Sequence, residues 1–394
     1  MKPTFPGVSG NGFFYYDKEV AKMYRFKPEL RIPGPVPVPN EVSLQMAKPM
    51  INHRGAYFKE HYPKVLARLA PLFGTTNQVH MITGSGTSAM EAAVSNLVSP
   101  DTPVLCLVGG FFGNRWAELC KAYGAKLHVL DFPWDSGIDP QKVQAYLQAH
   151  PEIELIFMVH NESSTAVLND VEAVAKARQG HSALLVVDAV SALGGAPCQM
   201  DAWGLDVVVS ASQKCLMTPP GTAFIVFSPR AREYAQNCQA SRYYFDLRLY
   251  EKYRENAETP FTPNIHNVFA LEEALTMIEA EGLENVFARH RLMRDMMRAG
   301  ARALGLELLV QDADASPTVT AIKYPDADSF RARIRERYGV EFAGGQGVHA
   351  NQIFRVGHMG YATPLDVLTA LAVLEMDMKK FGQATKAAQL VLEA

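Results

Sequence analysis

Between about residues 78 and 228 the chain alternates short apolar runs with segments of helical length, and this alternation limits the folds open to it. Near-continuous apolar strands separated by helices indicate a mostly parallel sheet that helices cover on both faces. We therefore predict an α/β fold with a seven-stranded sheet. The seven runs are QVHMIT (78–83), PVLCLVG (103–109), KLHVLDF (126–132), IELIFMVH (153–160), ALLVVDAV (183–190), LDVVVSAS (205–212) and TAFIVFS (222–228).

The segments between these runs carry helix signals. In DPQKVQAYLQAH (139–150), Asp139 is a typical N-cap and Pro140 suits the first helical position. TSAMEAAVSNLVS (87–99), RWAELCKAYG (115–124) and DVEAVAKARQG (170–180) are further predicted helices.

The two ends of the chain differ from this central part. Residues 1–40 are rich in Pro and Gly and predict an extended arm and loop rather than helix or strand. Long amphipathic helices are predicted over 268–282 and 286–305, followed by the runs LELLV, TVTAIKYP and FRVGHMG and a helix from Pro364. We expect an N-terminal arm (1–30), a large domain (31–270) and a smaller α+β C-terminal domain (271–394).

Composition excludes several classes of protein. A net charge of −3 gives no electrostatic basis for binding nucleic acid or an anionic membrane. No apolar run reaches the roughly 18 residues of a membrane span, and the N-terminus lacks the pattern of a secretory signal. The five cysteines are scattered without CxxC spacing, and the eleven histidines form no HExxH cluster. We expect a cytoplasmic protein without a metal site.

Ligand sites in an open parallel sheet lie at the carboxyl ends of its strands. After the first run, GSGT (84–87) leads directly into a helix, whose free N–H groups and positive end can bind an anion. Ser85 and Thr87 add hydroxyl donors. An ordinary capped turn between strand and helix would look the same, so this motif alone leaves both interpretations open.

Two charged residues also follow apolar runs. Asp188 needs a partner for its charge, such as a cation, a metal or a protonated ring nitrogen, unless it only caps a neighbouring turn. A lysine such as Lys214, held in a pocket, can lose its proton and attack a carbonyl. Taken alone, Lys214 is more simply interpreted as a lysine that points into water.

The combination is more specific than its parts. Pyridoxal 5'-phosphate needs an anion site for its phosphate, a carboxylate for its ring nitrogen and a lysine for its aldehyde. GSGT, Asp188 and Lys214 supply these groups in one α/β domain, and Phe112 in GGFFGNRW offers a ring for stacking. The sequence therefore predicts a pyridoxal phosphate enzyme.

At this point the chain resembles the fold-type I, class V aminotransferases, in the alanine/serine–glyoxylate (serine–pyruvate) group. The resemblance extends from PGPVPVP (33–39) to the C-terminal helix. The stretches that carry it are PGPVPVP, GSGTSAMEAA, GGFFGNRW, VHNESSTAVLND, VVDAVSALGG, SASQKCL, TPFTPNI and FRVGHMG.

The resemblance implies a role for each matching residue. Lys214 is the Schiff-base lysine and proton shuttle, and Asp188 pairs with the ring nitrogen. Arg355 grips the substrate carboxylate, with Gly34 and Asn161 at the substrate pocket. The remaining cofactor contacts are Ser85, Gly86, Thr87, Phe112, Ser163 and Gln213, together with Thr262, which reaches the cofactor of the partner subunit.

The implied enzyme is a homodimer with active sites at the subunit interface. It transfers the amino group of alanine, serine or a related donor to a 2-oxo acid such as glyoxylate or pyruvate, by a ping-pong mechanism. Asn161 departs from the small or apolar residue common in the family, so the donor stays open, and so does a role for His53 and Arg54 in the partner's site.

Three alternatives remain at this stage. A desulfurase-like class V lyase usually has His before the lysine and a reactive Cys in a later loop, whereas here Gln213 precedes Lys214 and no Cys follows Cys238. A transaminase of an unusual amine donor is compatible with the departures near the substrate pocket. A nucleotide-binding protein without catalytic activity would explain GSGT, but not Lys214, Asp188 and Arg355 together.

Overall fold

The computed structural model describes residues 29–393 of the 394-residue chain. None of the helices in this part is long and apolar enough to cross a membrane. The described α-helices are Asn40–Gln45, Ala56–Phe73, Gly86–Leu97, Phe111–Ala122, Pro140–Ala149, Val171–Ala177, Met200–Trp203, Pro229–Gln236, Leu247–Arg254, Ile265–Glu281, Leu283–Ala303, Ala327–Tyr338, Pro364–Met378 and Gln383–Leu392, with short 3-10 helices at Asp312–Asp314 and Gly347–His349.

Three sheets are formed by the strands β1 (Glu29–Arg31), β2 (Val79–Thr83), β3 (Pro103–Val108), β4 (Lys126–Asp131), β5 (Leu155–Val159), β6 (Asn161–Glu162), β7 (Val167–Leu168), β8 (Leu184–Asp188), β9 (Val207–Ala211), β10 (Thr222–Phe227), β11 (Val319–Lys323), β12 (Val340–Gly344) and β13 (Ile353–Gly357). The largest has seven strands in the order β2-β10-β9-β8-β5-β3-β4. Only β10 runs antiparallel to its neighbours in this sheet. The predicted α/β fold with a mostly parallel, seven-stranded sheet is confirmed.

Helices cover both faces of this sheet, because its central strands carry apolar side chains on both sides. In β5, Ile156 and Met158 enter one apolar core, while Leu155, Phe157 and Val159 enter the other. This alternation follows from the two-residue period of a strand. The helix Ala56–Phe73 packs into the first core and the helix Gly86–Leu97 into the second. The carboxyl ends of the parallel strands remain uncovered and carry the polar residues.

A second sheet has the order β1-β12-β13-β11 and packs against its own apolar core. In β13, Phe354 and Val356 point into this core. Arg355 lies between them and therefore points to the opposite face, beside its sheet neighbours Ala321 and Ala343. The register of β13 thus directs one guanidinium away from the core of the second sheet and towards the first.

Most predicted elements are present, with ends that shift by a few residues. Asp139 caps its helix as expected, since its carboxylate accepts a hydrogen bond from the N–H of Gln141 at 2.9 Å. The run LELLV forms only an isolated bridge, between Leu308 and Ile322. The expected division near residue 270 falls within the helix Ile265–Glu281 and stays a prediction.

The prediction for residues 1–40 was wrong at one place. Glu29–Arg31 forms a strand, because the distant segment Val340–Phe342 offers it a parallel partner. When the partner strand lies this far away in the chain, the residues of the short strand themselves do not indicate the pairing. The expected arm, with its aromatic run at 13–16, lies outside the described residues apart from its last two positions.

Candidate active site

The predicted site residues meet in two adjoining cavities at the carboxyl ends of the large sheet. The first cavity, of about 240 Å³, is lined by nine of them: Ser85, Gly86, Thr87, Phe112, Asn161, Ser163, Asp188, Gln213 and Lys214. The second, of about 330 Å³, shares Phe112, Ser163 and Lys214 with the first and adds Gly34 and Arg355. Lys214 therefore stands at the junction of the two cavities.

Asp188 ends strand β8 and is 3% exposed. Burial raises the pKa of its carboxyl to about 7, although a hydrogen bond from the N–H of Val190, 2.8 Å from Oδ1, acts in the opposite direction. Within residues 29–393 its other oxygen receives no hydrogen bond. A buried carboxyl with one free oxygen at a cavity wall suits a protonated ligand nitrogen.

Lys214 follows strand β9, and its Nζ donates a hydrogen bond to the carbonyl oxygen of Pro33. The residue is partly accessible from the cavities, but desolvation and, second, the charge of Arg355 lower the pKa of its amine to about 8. A lowered pKa leaves a larger fraction of the amine neutral, which is the form that attacks a carbonyl.

Gly34 packs directly against this lysine. Its φ is +96°, and a Cβ atom at this position would lie 2.6 Å from Cδ and 2.8 Å from Nζ of Lys214. Only glycine accommodates both the backbone angle and the close approach. The loop after β1 therefore sets the position of the lysine side chain.

The helix Gly86–Leu97 begins at the first cavity with no side chain capping its N-terminus, although Ser85 occupies the N-cap position. A Cβ atom at Gly86 would approach Val190 and Ala211 to 3.0 and 3.3 Å, so this turn packs tightly on the sheet. The uncapped N–H groups and the helix dipole suit an anion.

A cation to which the sequence analysis gave no role lies beside this helix start. Arg115 donates a hydrogen bond from Nη1 to Oγ1 of Thr87 at 3.1 Å, and its guanidinium lies 4.8 Å from the ring centre of Phe112. Arg115 also lines the first cavity and increases its positive charge. Its presence in the motif GGFFGNRW was the available signal.

Glu162 is a second residue to which the sequence analysis gave no role. It is 1% exposed, and its carboxylate accepts hydrogen bonds from the N–H groups of Phe112 and Gly113 and from the hydroxyl of Ser164. Burial nevertheless raises the pKa of this carboxyl. These bonds fix the turn that carries Phe112 at the cavity.

Arg355 reaches the second cavity from strand β13. Nε donates to the carbonyl oxygen of Gly344 at 2.8 Å and Nη1 to that of Ser163 at 2.6 Å. Burial lowers its pKa to about 10. The guanidinium is thus held in place by neutral carbonyl groups, and the part that faces the cavity is available for a carboxylate.

Two buried amide oxygens lie in the wall of the first cavity without a hydrogen-bond partner in the described chain. They belong to Asn161 and Gln213. The amide nitrogen of Asn161 is occupied, because it lies 2.8 Å from Oγ1 of Thr318 and 2.9 Å from the carbonyl oxygen of Ser191. Only the oxygen of Asn161 can therefore receive a substrate group.

Thr262 lies elsewhere. It is exposed and lines neither of these cavities, so its expected contact with a partner's cofactor stays a prediction. Arg54 is also remote from both cavities: its Nη1 lies 3.0 Å from Oε2 of Glu258. The expected role of His53 likewise stays a prediction.

The model of the family described as "Aminotransferase class-V" matches residues 41–362. The chain belongs to the class V aminotransferases. Among curated proteins, this class V aminotransferase is 40% identical to the soluble hydrogenase 42 kDa subunit of Anabaena cylindrica, over 90% of this chain and 94% of that protein. It is 36% identical to the L-aspartate–glyoxylate aminotransferase of Paracoccus denitrificans, over 89% and 91%.

Solved structures agree with this assignment. The pyridoxamine–pyruvate aminotransferase of Mesorhizobium loti superposes with a TM-score of 0.88 at 31% identity and covers 93% of this chain and 97% of its own. The predicted family and fold type are confirmed. The protein is an enzyme that transfers an amino group from an amino acid to a 2-oxo acid, and its cofactor is pyridoxal phosphate.

The residues of the first cavity fit this cofactor. The uncapped helix N-terminus suits the phosphate, the free oxygen of Asp188 suits a protonated ring nitrogen, and the amine of Lys214 suits an aldehyde. Phe112 adds an aromatic ring to the same wall.

Proposed function

We propose that this class V aminotransferase uses Lys214 and Asp188 as its catalytic residues. The arrangement that carries the proposal is the placement of both residues and an uncapped helix N-terminus around one cavity, with Arg355 in the next. Bound pyridoxal phosphate withdraws electrons from the substrate α-carbon, so that a proton can leave. Lys214 would take this proton on Nζ and deliver it to C4', the carbon of the cofactor's aldehyde group, while Asp188 would keep the ring nitrogen protonated.

The phosphate is held by Ser85, Gly86 and Thr87, with a further donor from Gln213. Arg115 supports this site because its bond to Thr87 places a positive charge near the helix start. In a homodimer with active sites at the subunit interface, Thr262 contributes to the phosphate site of the partner subunit. Its exposure on the single chain is compatible with this role.

Phe112 stacks on the cofactor ring, and Ser163 contacts the ring on the side of its hydroxyl oxygen. Both residues line the two cavities, as a group between cofactor and substrate must. Arg355 binds the α-carboxylate of donor and acceptor in turn, since each passes through the same place in a ping-pong reaction. Gly34 and Asn161 form part of the wall around the substrate.

The acceptor is a small 2-oxo acid, glyoxylate or pyruvate. The similarity to aminotransferases whose names contain glyoxylate, from Paracoccus denitrificans and Arabidopsis thaliana, supports this choice. The donor is alanine, serine or a related amino acid. We place the enzyme in the cytoplasm.

A redox function like that in the name of the Anabaena relative is not favoured. Iron–sulfur centres are held mainly by clustered cysteine thiolates. The five cysteines of this chain are buried free thiols dispersed from Cys106 to Cys238. In residues 29–393, the group that could hold a metal ion contains two histidines and a glutamate but no cysteine.

The test is cofactor attachment. After borohydride reduction, mass spectrometry of peptides is expected to find the cofactor on Lys214, and Lys214→Ala is expected to lose transamination while remaining folded. Lys64→Ala, at an exposed lysine 2.8 Å from Glu60, serves as the matched control and keeps full activity. Modification of another lysine, or turnover by Lys214→Ala, would show that the assignment is wrong.

A further inference from the structure

The second cavity contains another guanidinium besides that of Arg355. Arg331, on the helix Ala327–Tyr338, lines this cavity together with Arg355, Lys214 and Gly34. Its Nε donates to the carbonyl oxygen of Phe342 at 2.9 Å, and its Nη1 lies 2.7 Å from Oδ1 of Asp328. Two of its three nitrogens are thus held, and Nη2 has no hydrogen-bond partner within residues 29–393.

Both guanidinium groups contact Gly344. Arg355 donates to the carbonyl oxygen of Gly344 at 2.8 Å. Arg331 packs against the α-carbon of the same residue, because a Cβ atom on Gly344 would lie 2.5 Å from Nη1 of Arg331. Glycine at this position lets the two cations line one cavity.

The charges in this cavity favour an anionic ligand group next to Arg355. Arg355 bonds to neutral carbonyl oxygens and forms no ion pair within the described chain. Burial is the largest cause of the lowered pKa of Arg355; the charge of Glu162 acts in the opposite direction, and the charge of Arg331 lowers the pKa further. Asp328, the ion-pair partner of Arg331, is 60% exposed, so water screens much of its charge.

We propose that Arg331 binds a second carboxylate, so that the preferred amino donor is a dicarboxylic amino acid such as aspartate or glutamate. Arg355 holds the α-carboxylate and Arg331 the side-chain carboxylate of the same molecule. This inference rests on the proposed function of Arg355 and specifies the donor. Similarity to an aminotransferase named for L-aspartate and glyoxylate is consistent with it.

Glu341 is the group in this cavity that would favour a donor with a different side chain. It lines the wall, and neither Arg331 nor Arg355 forms an ion pair with it. Its free carboxylate would attract a donor with a positively charged side chain. However, Arg331 and Arg355 place two cations in this cavity against the single carboxylate of Glu341. A donor with an anionic side chain is therefore favoured over one with a cationic side chain.

The experiment measures kcat/KM for aspartate, glutamate, alanine and serine with glyoxylate as acceptor. The readout is the ratio of aspartate to alanine, which a general loss of folded enzyme does not change. Arg331→Gln is expected to lower this ratio about 10- to 100-fold, the effect of losing one charged hydrogen-bonding partner. Arg331→Lys keeps the charge and is expected to retain part of the preference.

Arg335→Gln is the matched control, since Arg335 is exposed one turn further along the same helix and lines neither active-site cavity. It should leave the ratio unchanged. Glu341→Gln should leave the ratio unchanged or raise it. Binding of maleate, an unreactive dicarboxylate, measured by calorimetry on the holoenzyme, should weaken by a similar factor in Arg331→Gln and remain unchanged in Arg335→Gln.

The possible failures are distinguishable. If the wild type transaminates no amino acid, the proposed function itself fails. If it prefers alanine or serine to aspartate, or if Arg331→Gln and Arg335→Gln give equal ratios and equal maleate affinities, the second carboxylate site is refuted. A preference for lysine or ornithine that disappears in Glu341→Gln would also overturn it, in favour of a donor with a cationic tail.

Discussion

The buried carboxyl of Asp188 makes a quantitative prediction about the apoenzyme. Its pKa is raised from 3.8 to about 7 because burial disfavours the ionised form. In the folded state the carboxyl therefore retains its proton to a higher pH than in the unfolded state. The stability associated with this proton is fully present below pH 3.8 and is lost as pH rises through about 7.

One pKa unit corresponds to about 1.4 kcal/mol, so the total loss from this shift is about 4 kcal/mol. About 2 kcal/mol of it falls between pH 5 and pH 7. Asp188→Asn keeps the shape of the side chain and removes its titration. Relative to the wild type, the free energy of unfolding of the variant should therefore rise by ~2 kcal/mol over this interval.

The assay is urea unfolding of both apoproteins at pH 5, 6, 7 and 8, at one protein concentration. Asp101→Asn makes the same change at an exposed aspartate and should show the same pH dependence as the wild type. A difference between wild type and Asp188→Asn that stays constant from pH 5 to pH 8 would refute the argument, because it would mean that Asp188 ionises equally easily in both states. The holoenzyme of Asp188→Asn should turn over much more slowly, since its ring nitrogen loses the carboxylate.

Two further predictions concern the neighbours of Lys214. Arg355→Gln should raise the KM of every amino acid and 2-oxo acid about 10- to 100-fold, because all of them lose the same charged partner, and steady-state kinetics with several substrates would reveal any that is unaffected. Gly34→Ala should destabilise the protein by about 1–3 kcal/mol and slow cofactor attachment, because the new Cβ collides with Lys214 at 2.6 Å. Both effects are measured by thermal unfolding, in which Gly180→Ala, at a φ of +87° with nothing within 4 Å, reports the backbone strain alone, and equal effects of the two substitutions would contradict the collision.

Much of the large sheet could be predicted because its signal is local. Most of the seven strands are near-continuous apolar runs, and the helices between them have their own start signals, such as Asp139. The order of the strands is a different matter. The antiparallel strand β10 lies between β2 and β9, and no residue within β10 indicates those neighbours. The strand Glu29–Arg31 was missed for the same reason, since its partner is contributed by a segment about three hundred residues away.

The residues of the candidate site also fall into those that the local sequence indicated and those that it did not. Residue types at strand ends indicated Ser85, Asp188 and Lys214, and their order in the chain indicated the cofactor. Nothing in the sequence distinguishes Arg331 from its neighbours, because the same helix carries four more charged residues after it. These are Arg333, Arg335, Glu336 and Arg337. Its proximity to Arg355 arises only when that helix packs beside β12 and β13.

The sequence by itself determined the α/β alternation and which chemical groups stand where strands end, because both are properties of neighbouring residues. Only the tertiary structure decided how far water is excluded from those groups and which charges lie near them. The pKa of Asp188 rises and that of Lys214 falls because residues from distant segments exclude water from them. Lys214 is held by the carbonyl of Pro33, 181 positions earlier in the chain. Desolvation and charge proximity depend on the folded arrangement, and so the lysine's reactivity, unlike its identity, is a product of the fold.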